Sequence, residues 1–232
     1  MRFLFYLVYD RAGFSIDGID RFVQVGDDRL SVPAAPDKAH GGADLGEHTA
    51  GGKLTFGDIP LRLINGHAVD GAGVWSTDEE IALMKERGVF IAHCPASNMN
   101  VASGIAPIRR YLDEGLRVGL GSDIAGGHST SIFTAMVDAM QVSRLYWRHI
   151  DRSRKPLSFP EALYMATKGG GAFFGKAGSF ERGFEFDAIV IDDSVLPHPQ
   201  ELTVAQRAER AIWLGGDRKG LAAKYVRGKR IL

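Results

Sequence analysis

From residue 74 onward, apolar positions recur with helical and strand periods in alternation. Ser76-Thr77-Asp78-Glu79 has the form of a capping box, in which the Ser76 hydroxyl accepts the Glu79 amide proton and Glu79 reaches back. Apolar Ile81, Leu83 and Met84 follow, and Gly88 supplies a left-handed stop. The short apolar run 89–92 predicts a strand. A second helix is predicted over about 105–114, with Ile108 and Leu112 on one face and Gly115 ending it. The next strand is 117–120, with Gly121-Ser122-Asp123 at its C-terminal end. A long helix follows from about 131 to 149, and the capping box Ser158-Phe159-Pro160-Glu161 opens another that reaches about 167. Strand and helix in alternation are the signature of an α/β fold, a parallel sheet covered by helices.

The two ends of the chain read differently. The run 187–191 (DAIVI), the amphipathic stretch 204–214 and the final 224–232 suggest a small appended β-unit. Before residue 74 the pattern is weak. Residues 33–52 are rich in Gly, Ala and Pro without helical or strand period, which argues loop or disorder. Strand-like runs at 22–25 and 61–64 flank them, and the apolar run 3–9 reads as a short buried strand. The chain therefore divides into an unassigned, loop-rich region 1–73, an α/β region 74–176 and a C-terminal segment 177–232.

Composition narrows the function classes. The chain has 232 residues, 45% of them hydrophobic, enough for a real core. Lys and Arg number 28 against 28 Asp and Glu, so nothing favours a nucleic-acid or anionic-membrane partner. No run approaches the ~20 apolar residues of a membrane span, and the apolar run 3–9 is too short for a signal peptide. The single Cys94 excludes an intrachain disulfide framework and fits a reducing cytoplasm.

In parallel α/β folds, functional groups sit at the C-terminal ends of strands. That rule selects His93-Cys94-Pro95 through Asn98, and Gly121-Ser122-Asp123 with Gly126-Gly127-His128 behind it. Asp123 can bind a divalent metal or take a proton from water. It can equally cap the helix that begins after Gly127. His93 is a ligand candidate or a hydrogen-bonded structural residue. His67, taken alone, reads as a turn residue, and Lys168 before Gly169-Gly170-Gly171 as a solvated lysine at a helix stop. Cys94 lacks a partner pattern for a nucleophile. Trp75, Trp147 and Trp213 read as packing residues.

Residues 91–133, IAHCPASNMNVASGIAPIRRYLDEGLRVGLGSDIAGGHSTSIF, resemble the amidohydrolase superfamily, and most closely its bacterial-type guanine deaminases. The resemblance is carried by the HCPxSN run followed by Ser103-Gly104, by GLGSDIAGG with Asp123, and by ATKGGGAFFG at 166–175. The run GSFERGFEFDAIVID at 178–192 is similar to the strand by which these enzymes return to a β-sandwich. The resemblance extends from about 74 to the C-terminus. It implies a distorted (β/α)8 barrel with a small β-sandwich built from both chain ends, 89–92 being barrel strand seven and 117–120 strand eight. It implies zinc as cofactor, Asp123 as metal ligand and proton shuttle, and hydrolysis of guanine to xanthine and ammonia. His93 and Asn98 are then expected at the substrate, with Asp123 near His93 and facing a pocket.

The family pattern is only partly present. None of the seven histidines forms the H-x-H pair of strand one, and the H-x-x-E run of strand five is absent. The strand-six histidine is expected just ahead of Val74-Trp75-Ser76, where Ala72 and Gly73 stand; His67 serves there if a short insertion intervenes. One secure metal ligand falls short of the three that catalytic zinc takes. The sequence therefore predicts the C-terminal part of such a barrel, incomplete by itself, truncated or inactive alone. Its exposed edges predict a homo-oligomer. A non-catalytic assembly fragment, or an aminohydrolase of another purine or adenosine-type substrate, are the alternatives.

Overall fold

The computed structural model describes residues 2–5, 69–70, 74 and 76–232. The strand-like runs 22–25 and 61–64, His67 and Trp75 lie outside the described residues. Two sheets organise the rest. A parallel sheet has the order β2-β3-β4, from Val69–Asp70 (β2), Phe90–His93 (β3) and Arg117–Leu120 (β4). An antiparallel sheet has the order β1-β5-β6-β7, from Arg2–Phe5 (β1), Ala188–Asp192 (β5), Leu221–Val226 (β6) and Lys229–Arg230 (β7). Pairing of β1 with β5 brings both chain ends into one sheet.

Helix α1 (Asp78–Arg87) begins one residue later than its sequence signal suggested. Thr77, not Ser76, is the cap: its hydroxyl accepts the Glu80 amide at 3.3 Å, and Glu80 returns a carboxylate oxygen to the Thr77 amide at 2.8 Å. Two adjacent hydroxyl–carboxylate pairs at the same spacing compete here, and the buried position goes to Glu80. Gly88 ends the helix at φ 65, as expected. The HCPxSN run folds into a short helix α2 (Pro95–Asn100), which the apolar period did not reveal. Helix α3 (Ile108–Asp113) is shorter than its predicted span.

Helix α4 (Ile132–His149) is the bridge between the two sheets. Ser131 caps it, accepting the Thr134 amide at 3.3 Å. Its Met136 and Met140 pack with Ile189 and Ile191 of β5 and with Ala211 and Ile212 of α6 (Val204–Trp213). Its Ala139 packs on the other side with Ile91, Val118 and Tyr111. A second tie runs through α7 (Gly216–Lys219), where Asp217 accepts from the Ser131 hydroxyl and Arg218 donates to Ser129 at 3.0 Å.

The capping box at Ser158 forms as predicted and opens α5 (Phe159–Tyr164). The helix then widens into a π-turn, Met165–Gly169, instead of running on as α-helix. The glycine run explains the close approach made there. A Cβ at Gly119 would stand 2.9 Å from the Gly170 Cα, so strand β4 and the turn touch backbone to backbone.

Candidate active site

The C-terminal ends of β3 and β4 carry the candidate groups. Gly121 continues the ladder, its amide donating to the His93 carbonyl at 2.9 Å. Residues in register on parallel strands share a face. Phe90 pairs with Arg117, and the guanidinium sits 5.0 Å from the ring centre. Ile91 pairs with Val118 on the opposite face, which the helices cover. His93 pairs with Leu120 and so belongs to that helix-covered face. Cys94 and Gly121 return to the other face, since a Cβ at Gly121 would stand 2.6 Å from the Cys94 sulfur.

His93 is therefore the last residue of its strand, not a loop residue, and only 2% exposed. Neither ring nitrogen has a hydrogen-bond partner among the described residues. Burial pushes its pKa down from 6.5 to about 3, so the ring is neutral near neutral pH. The Asn98 side-chain nitrogen and the Ser122 hydroxyl are likewise buried without a partner among the described residues.

Asp123 stands three residues beyond β4, at φ 44, half-buried. It is not a helix cap, because Ser131 holds that place, and no described donor bonds its carboxylate. Its carboxylate lies beside Gly126 and Ser97: a Cβ at Gly126 would stand 2.9 Å from Asp123 Oδ2 and 2.4 Å from Ser97 Oγ. Asn100 donates to the Gly126 carbonyl at 2.7 Å. The loop closes on itself through the Gly127 amide, which donates to the Asp123 carbonyl. Ala125 is also held at positive φ, 93°. His128 is exposed, and Asp138 of α4 is buried near it; burial raises the Asp138 pKa while His128 opposes the rise. Sequence reasoning missed Ser97, Asn100 and Gly126 as loop partners, although the i, i+3 spacing of Ser97 and Asn100 places them on one helix face.

Asp123 does not approach the ring nitrogens of His93 closely enough to bond them. The crevice of about 600 Å³ lined by Arg109, Asp113, Ser153, Arg154 and Lys155 includes none of the expected site residues. Its charges are mutually engaged: Arg109 bridges Asp113 and Glu161, and Arg154 reaches Asp113 at 2.9 Å. Burial alone would raise the Glu161 pKa; the Ser158 amide and Arg109 outweigh it and hold the carboxyl below its usual range. Lys168, read from sequence as solvated, pairs with Glu181.

The residues can be tested against a zinc centre. Among the described residues, no three His, Cys, Asp or Glu side chains come together to hold a metal. They supply a carboxylate at Asp123 and do not form a catalytic zinc site by themselves, which takes about three protein ligands.

A parallel sheet under helices, a carboxylate just past the last strand and a glycine-bound loop around it are features of barrel hydrolases, and the comparisons agree. The protein-family model of the Amidohydrolase family matches residues 34–219, and the chain belongs to that family. It is 34% identical over 178 residues to guanine deaminase of Dictyostelium discoideum, covering 74% of this chain and 39% of that protein. It is 33% identical over 182 residues to the human guanine deaminase, covering 73% and 39%. Among solved structures, guanine deaminase from C. acetobutylicum with guanine bound in its active site is 45% identical, with a TM-score of 0.68 over 76% of this chain and 40% of that one. An adenosine deaminase from Xanthomonas campestris with bound zinc is 25% identical, with a TM-score of 0.61 over 74% and 38%. The fold is thus α/β and TIM-barrel-like, and the chain is guanine-deaminase-like. It spans about two fifths of the length of these relatives. No helix among the described residues is long and apolar enough to cross a membrane.

Proposed function

We propose that this chain serves the hydrolytic deamination of guanine to xanthine and ammonia, with Asp123 as its catalytic carboxylate. The observation that carries the reading is the free Asp123 carboxylate just beyond the C-terminal end of β4, in a loop that Asn100 bonds at the Gly126 carbonyl and Ser97 packs against. Water adds to the ring carbon that bears the amino group. A carboxylate there accepts one proton from that water and returns it to the departing amine; the carbon–amine bond breaks, ammonia leaves, and the second water proton ends on the adjacent ring nitrogen as the carbonyl forms. The relatives' printed activities and the 45% identity to a guanine-bound deaminase support guanine as the substrate.

The reading divides the chain into a barrel part, 74–176, and a segment, 177–232, that joins the N-terminal strand in a β-sandwich. It places His67 as a second catalytic group and Asn98 at the rim of the purine site; His93, expected there from the sequence, lies on the helix-covered face and takes no part in the reading. Neither H-x-H nor H-x-x-E occurs in the 232 residues, so the chain alone is expected to turn over guanine poorly. Zinc is the proposed cofactor of the complete assembly, with Asp123 as this chain's ligand.

A chimera tests this directly. Residues 74–232 are joined to the N-terminal part of the C. acetobutylicum enzyme, and xanthine formation is followed. Turnover of guanine, lost by at least about a hundredfold in Asp123→Asn, is the expected result. Preference for a thioether adenosine over guanine would sink the substrate assignment; undiminished turnover in Asp123→Asn would sink the catalytic one.

A further inference from the structure

We infer that Asn100 is a positioning residue: together with Ser97 it holds Gly126, and through Gly126 it fixes the direction of the Asp123 carboxylate. The inference rests on the proposed role of Asp123. Three observations carry it. The Asn100 amide donates to the Gly126 carbonyl at 2.7 Å, across 26 residues of sequence. Ser97, one helical turn earlier on α2, brings its hydroxyl so close to Gly126 that a Cβ there would stand only 2.4 Å away. The same Cβ would stand 2.9 Å from Asp123 Oδ2, so the Ser97 hydroxyl and the carboxylate both close on the side of Gly126 that a side chain would fill.

The loop needs such a tether. Asp123 and Ala125 both sit at positive φ, 44° and 93°, conformations that cost free energy for residues with a Cβ and persist only where surroundings impose them. Within the loop, the Gly127 amide closes on the Asp123 carbonyl. That bond shapes the turn without saying where the turn lies relative to β3. The Asn100 bond supplies that information. It pins the turn to α2, and α2 follows directly from β3 through Cys94 and Pro95. No hydrogen bond from a described residue orients the carboxylate itself. Its direction therefore depends on the backbone of 123–127, and that backbone depends on Asn100.

The full chain, without metal or substrate, gives the test, so failure of the deaminase reading leaves the result interpretable. Aspartate carboxyl carbons are labelled with carbon-13, and the Asp123 line is assigned by its loss in Asp123→Asn. Hydrogen exchange of the peptide spanning 121–131 is measured in parallel. Asn100→Leu removes the donor at similar size, and Asn100→Gln keeps one. The expected result is that Asn100→Leu moves or broadens the Asp123 line, leaves the other aspartate lines in place and speeds exchange of the loop about fivefold, while Asn100→Gln retains most of the wild-type behaviour. Gly126→Ala should displace the same line. An Asp123 line unchanged in Asn100→Leu overturns the inference. If Asn100→Leu fails to fold, Asn100→Ala decides: a displaced Asp123 line and faster loop exchange uphold the tether, and a wild-type line and exchange overturn it.

Discussion

Replacing His93 should remove most of the acid sensitivity of this fold above about pH 4. The ring is 2% exposed with both nitrogens unpartnered among the described residues, and burial lowers its pKa from 6.5 to about 3. Between those values the unfolded chain binds a proton at residue 93 that the folded chain refuses. Stability from this group is therefore fully present above 6.5 and is lost as pH falls toward about 3. One unit of difference corresponds to about 1.4 kcal/mol, so the loss on going from about pH 7 to about pH 5 is roughly 2 kcal/mol. Urea unfolding of wild type and His93→Gln at both pH values measures it, the slope with denaturant serving as a check that the unfolding reaction is the same. The variant is less stable at neutral pH or equal to wild type, but its stability should change little over that interval. Equal losses in the two proteins would refute the reasoning, because the proton would then be taken up elsewhere.

Gly119→Ala should cost about 1–3 kcal/mol, since its Cβ meets the Gly170 Cα at 2.9 Å and two backbones must separate; thermal unfolding reads it. The chain by itself is expected to hold zinc at well below one equivalent after dialysis, given that Asp123 lacks metal-binding neighbours among the described residues, and metal analysis checks this. Light scattering should find oligomers: Leu145, Trp147 and Ile150 leave apolar surface exposed around the end of α4. A monodisperse monomer with cooperative unfolding would contradict the last expectation.

The elements whose signals are local were legible in the sequence. Gly88 and Ser158 mark a helix end and a helix start because a left-handed stop and a capping box need only a few adjacent residues. Strand β4 was placed over the residues it occupies. Where two local signals competed, tertiary burial chose between them, as at Thr77 and Ser76. Helix α2 escaped notice because its six residues, Pro95–Asn100, carry no apolar period; they are packed by polar and small side chains. The π-turn after α5 was illegible for a different reason. It answers a close approach to Gly119, and a contact between residues far apart in sequence has no local signature.

The site follows the same division, and His93 shows how a one-residue boundary carries consequences. Ending the strand at residue 92 leaves His93 in a loop, free to point toward Asp123. Ending it at His93 subjects the ring to the period of two, and Ile91 then decides its direction: toward the helices. Cys94, one residue on, takes the opposite face and meets Gly121. The carboxylate that the glycine-rich run advertised is at the strand end, where parallel α/β folds keep their chemistry. What the sequence did not disclose is how it is held there. An aspartate tolerates left-handed backbone better than most residues, so its identity did not announce φ 44. In the inference drawn above, the restraint comes from Asn100, with Ser97 packed beside it, polar residues of an unpredicted helix that meet a glycine three positions beyond the carboxylate. A carboxylate proposed as catalytic is thus defined by the backbone it is mounted on as much as by its place in the sequence.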